Sequence, residues 1–133
     1  MFNFMYNFIC RCRKTQPTFN KANGTVFLEY CKKGDLQNIE KNLTYFNSEF
    51  LDMAVIDSIK SGNNEVVKFL VGKISGKMNL NSFLKHAVIS NNFTLTEYFL
   101  QKGALPIYGL RVSNSANLTK LLFRYEQKSE IIN

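Results

Sequence analysis

Apolar residues recur at helical spacing in three segments of the chain, residues 25–46, 53–74 and 82–103. Each segment holds two apolar-spaced runs of about nine or ten residues, the length of a short helix. A glycine or asparagine separates the two runs, and these turn residues are Gly34, Gly62 and Asn91, spaced by 28 and 29 positions. No segment alternates apolar and polar residues with period two, so we expect little sheet. The pattern predicts repeated pairs of α-helices.

A fourth, shorter copy is predicted at residues 105–126, with Asn114 at its turn after a step of 23 residues. Gly109 lies inside the first helix of this copy. Glycine within a helix costs about 1 kcal/mol relative to alanine, so we expect Gly109 to permit a close approach of packed groups. The helical position of Gly109 favours stacked helices over a catalytic loop.

The residues at the turns have the chemistry that a helix–turn–helix unit requires. Glycine and asparagine tolerate the left-handed conformation that ends many helices. Asp35, Asn63 and Asn92 follow the turn residues directly and are expected to cap the second helix of each pair. The predicted buried faces of the second helices consist of Val66, Val67, Phe69, Leu70 and Val71, then Leu95, Tyr98, Phe99 and Leu100, then Leu118, Leu121, Leu122 and Phe123.

The positive charge of the chain is concentrated near its start. Residues 1–24 contain Arg11, Arg13, Lys14 and Lys21 and no acidic residue, whereas residues 25–133 contain 13 basic and 10 acidic side chains. We therefore divide the chain into a basic and aromatic arm (1–23), a repeat domain (24–127) and a C-terminal tail (128–133). The four basic residues of the arm are candidates for contact with RNA or an acidic partner. A solvated arm is the alternative.

The sequence contains few residue patterns typical of catalytic, phosphate-binding or metal-binding sites. There is no phosphate-binding glycine loop, paired metal-ligand motif or nucleophile elbow. Cys31 and His86 are expected at first-helix positions of different units, where packing residues belong, so a nucleophile–base pair is disfavoured. We predict a non-enzymatic protein with no cofactor or metal, and reduced thiols in a cytoplasmic compartment.

The apolar stretch at the start is about ten residues long and interrupted by Asn3 and Asn7, which is too short and polar to span a bilayer. Peripheral membrane contact by this aromatic and basic arm is one alternative. Packing of the arm onto the repeat domain is the other.

The units resemble ankyrin repeats. Residues 62–71, "GNNEVVKFLV", match the ankyrin turn and second helix, Thr25 matches the opening of a unit, and Gly103-Ala104 matches its close. Leu105-Pro106 is similar to the opening of the next unit. The resemblance covers about residues 24–127 and implies an all-α, helix-turn-helix solenoid of about four degenerate repeats with shortened loops.

Residues 87–122 also resemble the ankyrin-like units of the multigene-family proteins of African swine fever virus. The matching features are Gly103-Ala104, Tyr108-Gly109-Leu110 and a truncated following unit with Asn114 at its turn. This resemblance implies a viral protein that interacts with a host protein in the host-cell cytoplasm.

Repeat solenoids present long surfaces that bind other proteins. The first helices and the loops between units line the concave side of an ankyrin stack, so the resemblance places the partner-binding surface there. The residues expected on it are Glu29, Lys32, Lys33, Asp57, Lys60, Lys85 and Arg111. Five of these seven are basic, and we therefore expect a protein partner with an acidic surface. The rival hypothesis is an RNA-associated or ribonucleoprotein assembly component anchored by the arm.

Overall fold

The computed structural model describes residues 21–74 and 79–132, and within these two ranges the chain forms helices and no strand. The predicted all-α class is thereby confirmed. The helices are α1 (Lys21–Lys33), α2 (Leu36–Asn42), α3 (Ser48–Ser61), α4 (Asn64–Lys73), α5 (Leu80–Ile89), α6 (Phe93–Lys102), α7 (Pro106–Leu110) and α8 (Ala116–Ile132), with a single 3₁₀ turn at Leu43–Tyr45 after α2.

The turns inside the first three helix pairs lie where the repeat pattern predicts them. Gly34, Gly62 and Asn91 have φ values of 73°, 79° and 58°, and each lies between the two helices of its pair. Asn91 adopts a left-handed conformation that few side chains tolerate, and asparagine is among those that do. Asn114 lies in the connection between α7 and α8 without a positive φ, so the fourth turn has a different backbone from the other three.

Two of the three predicted capping residues make a side-chain capping bond, and the third makes a different hydrogen bond. The carboxylate of Asp35 accepts a hydrogen bond from the Asn38 backbone N–H, and the Asn92 side chain accepts one from that of Leu95. Asn63 occupies the N-cap position of α4 but makes no side-chain capping bond. Its Nδ2 instead donates to the Cys31 carbonyl oxygen at 3.2 Å, which joins α4 to the end of α1.

Consecutive helix pairs pack side by side. Each first helix packs on its own second helix, and the first helices also pack on one another, α1 on α3, α3 on α5 and α5 on α7. The shared core is apolar and largely aliphatic. Its fully enclosed side chains include Phe27, Ile39, Val55, Ile59, Leu70, Phe83, Leu84, Leu95, Phe99, Leu118, Leu121 and Leu122.

Burial agrees with the predicted second-helix faces at most positions. Phe69 and Tyr98 are half-buried, and Phe123 is 51% exposed, so its predicted burial is wrong. Phe123 lies nine residues after its turn, as do the buried Val71 and Leu100. No described helix follows α8 to cover that position. Val26, Ala54 and Phe83 share a position eight residues before their turns. Val26 is 47% exposed although the other two are completely buried, because no described helix precedes α1 to cover it.

Side-chain contacts also join neighbouring units away from the core. Asn92 Nδ2 donates to Asn64 Oδ1 at 2.8 Å, and the Leu105 backbone N–H donates to Asn81 Oδ1 at 2.8 Å. Lys73 Nζ lies 3.1 Å from Glu40 Oε2, which links α4 to α2. The asparagines near the turns therefore connect successive pairs as well as capping helices.

Gly109 packs as the sequence predicts. A Cβ at this position would lie 2.8 Å from Leu122 Cδ2 and 3.1 Å from Val88 Cγ2, both distances shorter than ordinary packing allows. The glycine thus lets α7 approach α5 and α8.

The helices extend beyond the predicted repeat domain at both ends. Helix α1 begins at Lys21, inside the predicted arm, and α8 continues to Ile132, through most of the predicted tail. Within residues 21–74 and 79–132, none of the helices combines the length and apolar character needed to cross a bilayer.

Candidate functional site

The seven predicted partner-binding residues lie on or next to the first helices. Glu29, Lys32 and Lys33 are on α1, Asp57 and Lys60 on α3, Lys85 on α5, and Arg111 directly follows α7. All seven side chains are exposed. Because α1, α3, α5 and α7 pack in series, these residues belong to one layer of the molecule, whose exposed side we call the first-helix surface.

The repeat spacing aligns residues of this layer, four of the six charged, in two rows. Counted from the turns, Glu29, Asp57 and His86 share one position, and Lys32, Lys60 and Ile89 share another. On α1 the two rows meet in an exposed pair, with Lys32 Nζ 3.9 Å from Glu29 Oε2. Exposed pairs of this kind contribute little to stability, so both side chains remain available to a partner.

Sequence reasoning missed the apolar part of the first-helix surface. Five large apolar side chains are 38–55% exposed there, namely Met53, Ile89, Leu105, Ile107 and Tyr108. Arg111 lies against one of them, with its guanidinium carbon 5.7 Å from the centre of the Tyr108 ring. The repeat register contained a usable signal, because Met53 shares its position with Thr25 and Ser82 rather than with core residues. An apolar side chain in a polar column indicates a contact site.

Cys31 and His86 lie on different helices of the first-helix layer. Cys31 is buried on α1, and His86 lies on α5, with α3 between these two helices in the layer. Burial raises the pKa of the Cys31 thiol to about 11, with a smaller contribution from the charge of Asp57. The thiol therefore stays protonated near neutral pH and is a poor nucleophile. His86 Nδ1 lies 2.9 Å from the Ser82 carbonyl oxygen on the same helix.

The exposed sides of α2, α4, α6 and α8 form a second-helix surface with a different character. Tyr98 of α6 has Lys68 and Lys102 over its ring, at 5.5 and 5.6 Å from the ring centre. Burial raises the pKa of the Tyr98 hydroxyl. Lys73 lies over Phe69 as well as against Glu40. Lys68 and Lys73 contact residues of a neighbouring unit, Tyr98 and Glu40, whereas Lys102 lies on the same helix as Tyr98. The contacts between units distinguish Lys68 and Lys73 from the lysines of the first-helix surface.

A cleft opens between the N-terminal ends of α1 and α3. Its volume is about 650 Å³, and its lining residues are Gly24, Thr25, Leu28, Asn47, Glu49, Phe50 and Met53. Beneath it lies an aromatic cluster in which the rings of Phe46 and Phe50 stack at 4.6 Å and that of Phe27 lies 4.8 Å from Phe46. Asp52, beside Met53 on α3, has its pKa raised by partial burial.

The candidate arm residues Arg11, Arg13 and Lys14 lie outside the described residues. Lys21 is the first residue of α1. Among the residues that the structure describes, no three His, Cys, Asp or Glu side chains are grouped as metal ligands would be.

Comparisons of the chain with protein-family models, with curated proteins and with solved structures give no match.

Proposed function

We propose that this chain is a non-enzymatic protein-binding module, an ankyrin-like stack of helix pairs whose first-helix surface contacts the partner. The observation that carries the proposal is the combination of exposed apolar and charged side chains on one layer. Leu105, Ile107 and Tyr108 supply apolar area, while Lys60 and Lys85 supply charge. Interfaces commonly combine apolar anchors with a polar rim.

The partner is a protein with an acidic surface carrying apolar side chains. Lysines such as Lys33, Lys60 and Lys85 would act mainly on the association rate, because charges at an interface rim steer encounter. Exposed Tyr108, with Arg111 against its ring, is a residue type enriched among energetically important contacts. The resemblance to viral ankyrin-like proteins supports a host protein in the cytoplasm as the partner.

Charge reversal tests the surface assignment. The variant Lys33→Glu/Lys60→Glu/Lys85→Glu is expected to lose the partner in affinity capture followed by mass spectrometry, without a lower melting temperature. The matched control is Lys41→Glu/Lys120→Glu/Arg124→Glu, which reverses three exposed cations of α2 and α8 and changes net charge equally. Lys68 is unsuitable as a control because it packs over Tyr98.

The protein-binding proposal requires a specific protein retained by the wild type and by the control but lost from the first-helix variant. Loss with both variants would indicate attraction by net charge alone and contradict the surface assignment. Retention that disappears after ribonuclease treatment, and that falls steeply with salt, would favour the RNA-associated alternative.

A further inference from the structure

The cleft between α1 and α3 has the chemistry of a binding site for an aromatic and basic segment. Its lining is mainly apolar, through Leu28, Phe50 and Met53. The ring of Phe50 continues into the aromatic cluster, since it lies 4.6 Å from the ring of Phe46 and 5.9 Å from that of Phe27. Aromatic rings pack on such a cluster with favourable edge-to-face or offset geometry.

The charge at the cleft is negative. Glu49 lines it from the first turn of α3, and none of the seven described lining residues is a lysine or arginine. Two more carboxylates lie nearby on the same helices, Asp52 next to Met53 and Glu29 one turn beyond Thr25. An apolar floor with a carboxylate edge favours an occupant in which aromatic residues are followed by cations.

We propose that this cleft binds the chain's own residues 1–20. That segment contains Phe2, Phe4, Phe8 and Phe19 and three cations, Arg11, Arg13 and Lys14, with no acidic residue. It joins the described chain at Lys21, the first residue of α1, and the cleft lies at this end of the same helix. An extended chain spans about 3.3–3.6 Å per residue, so even the residues of this segment that are furthest from Lys21 can reach the cleft.

Covalent attachment favours this occupant over a separate molecule. A segment tethered next to its site has an effective concentration in the millimolar range, whereas a separate molecule must reach the cleft by diffusion. The inference goes beyond the proposed function, because it assigns the cations of the arm to the protein's own carboxylates. Those cations are then less available to RNA.

The natural cysteines of the arm allow a direct test in the full-length protein. Cys10 and Cys12 lie in the segment, and Cys31 is buried. Met53→Cys places a thiol on the cleft wall, and Lys120→Cys places one at an exposed position of α8 as the matched control. A disulfide requires Cα atoms within about 7 Å, so it reports close approach. The variants are oxidised mildly at low protein concentration, and the bonds are mapped by mass spectrometry.

We expect Met53→Cys to form an intramolecular bond to Cys10 or Cys12 with a yield at least about tenfold above that of Lys120→Cys, as a local effective concentration predicts. Equal yields would overturn the proposal. A bond formed only between two molecules would also overturn it, in favour of a second copy as the occupant. Thr25→Cys, on the opposite wall of the cleft, repeats the test should Met53→Cys fail to fold.

The acidic edge has its own test in the Met53→Cys protein. Glu49→Lys is expected to lower the yield of the intramolecular bond several-fold. Glu65→Lys is the matched control, because Glu65 is also an exposed carboxylate in the first turn of a helix, α4. An equal loss of yield in both variants would show that Glu49 does not guide the segment and would overturn the electrostatic part of the proposal.

Discussion

At the scale of single residues, the α4 core depends on Leu70, which has no exposed surface. Leu70→Ala is expected to destabilise the protein by about 2–5 kcal/mol, because truncation removes buried apolar contacts and leaves a cavity. Phe123→Ala, at a half-exposed site, is expected to cost less than about 1 kcal/mol. Chemical denaturation measures both. Similar costs for the two variants would contradict the assigned register of the second helices.

Two helical glycines provide a second test at residue scale. Gly72→Ala is expected to stabilise the protein by up to about 1 kcal/mol, since a Cβ there meets nothing within 4 Å and alanine favours the helix. Gly109→Ala is expected to destabilise by about 1–3 kcal/mol, because its Cβ would press on Leu122 and Val88 in a filled core. Thermal and denaturant unfolding distinguish the two. Stabilisation by both alanines would show that α7 does not approach α5 and α8 closely.

At the scale of helices, asparagine side chains connect one pair to the next as well as capping helices. Asn63 donates to a backbone carbonyl of α1, whereas Asn92 caps α6 and donates to the side chain of Asn64. The two bonds differ in what their acceptors can do. The carbonyl of Cys31 can only accept a hydrogen bond, but the Asn64 amide can rotate and offer its Nδ2 as a donor.

Substitution by aspartate separates these two situations. Asn63→Asp is expected to destabilise by about 1–3 kcal/mol, since it removes the donor and directs a carboxylate at the Cys31 carbonyl. Asn92→Asp is expected to change stability by less than about 1 kcal/mol, since aspartate still caps α6 and Asn64 can donate to it. Both values come from urea denaturation. A larger cost at Asn92 than at Asn63 would contradict this account of the contacts between pairs.

At the scale of the whole molecule, the helix pairs of the described residues share one apolar core. Deletion of residues 1–20 is expected to leave a helical protein that unfolds in one cooperative transition. The melting midpoint is expected to fall by about 4 °C, which corresponds to about 1 kcal/mol in a domain of this size, because the cleft loses its occupant. Circular dichroism during heating measures the change. A non-cooperative transition would show that the segment is required to fold the first helix pair.

Much of the fold could be predicted from the sequence because its signals are local. Helical spacing of apolar residues gave the helix pairs, and turn residues such as Gly62 and Asn91 gave their positions, since backbone conformation at a turn depends on the residue itself. The tight packing at Gly109 was also predictable, because glycine in a helix has a cost that needs compensation. The exposure of all seven predicted surface residues follows from the same helical period.

Tertiary structure decided the features that depend on what lies beside a helix. Phe123 and Leu100 share a repeat position, yet Phe123 is exposed, because burial depends on a neighbouring element that the local sequence does not contain. Asn63 is at a sequence position typical of a helix cap. Because α4 packs beside α1, its side chain donates to the Cys31 carbonyl oxygen and does not cap α4. The cleft, the apolar first-helix surface and the contact of Lys68 with the Tyr98 ring likewise arise only where separate helices meet. They involve residues distant in the chain, so no local pattern specifies them.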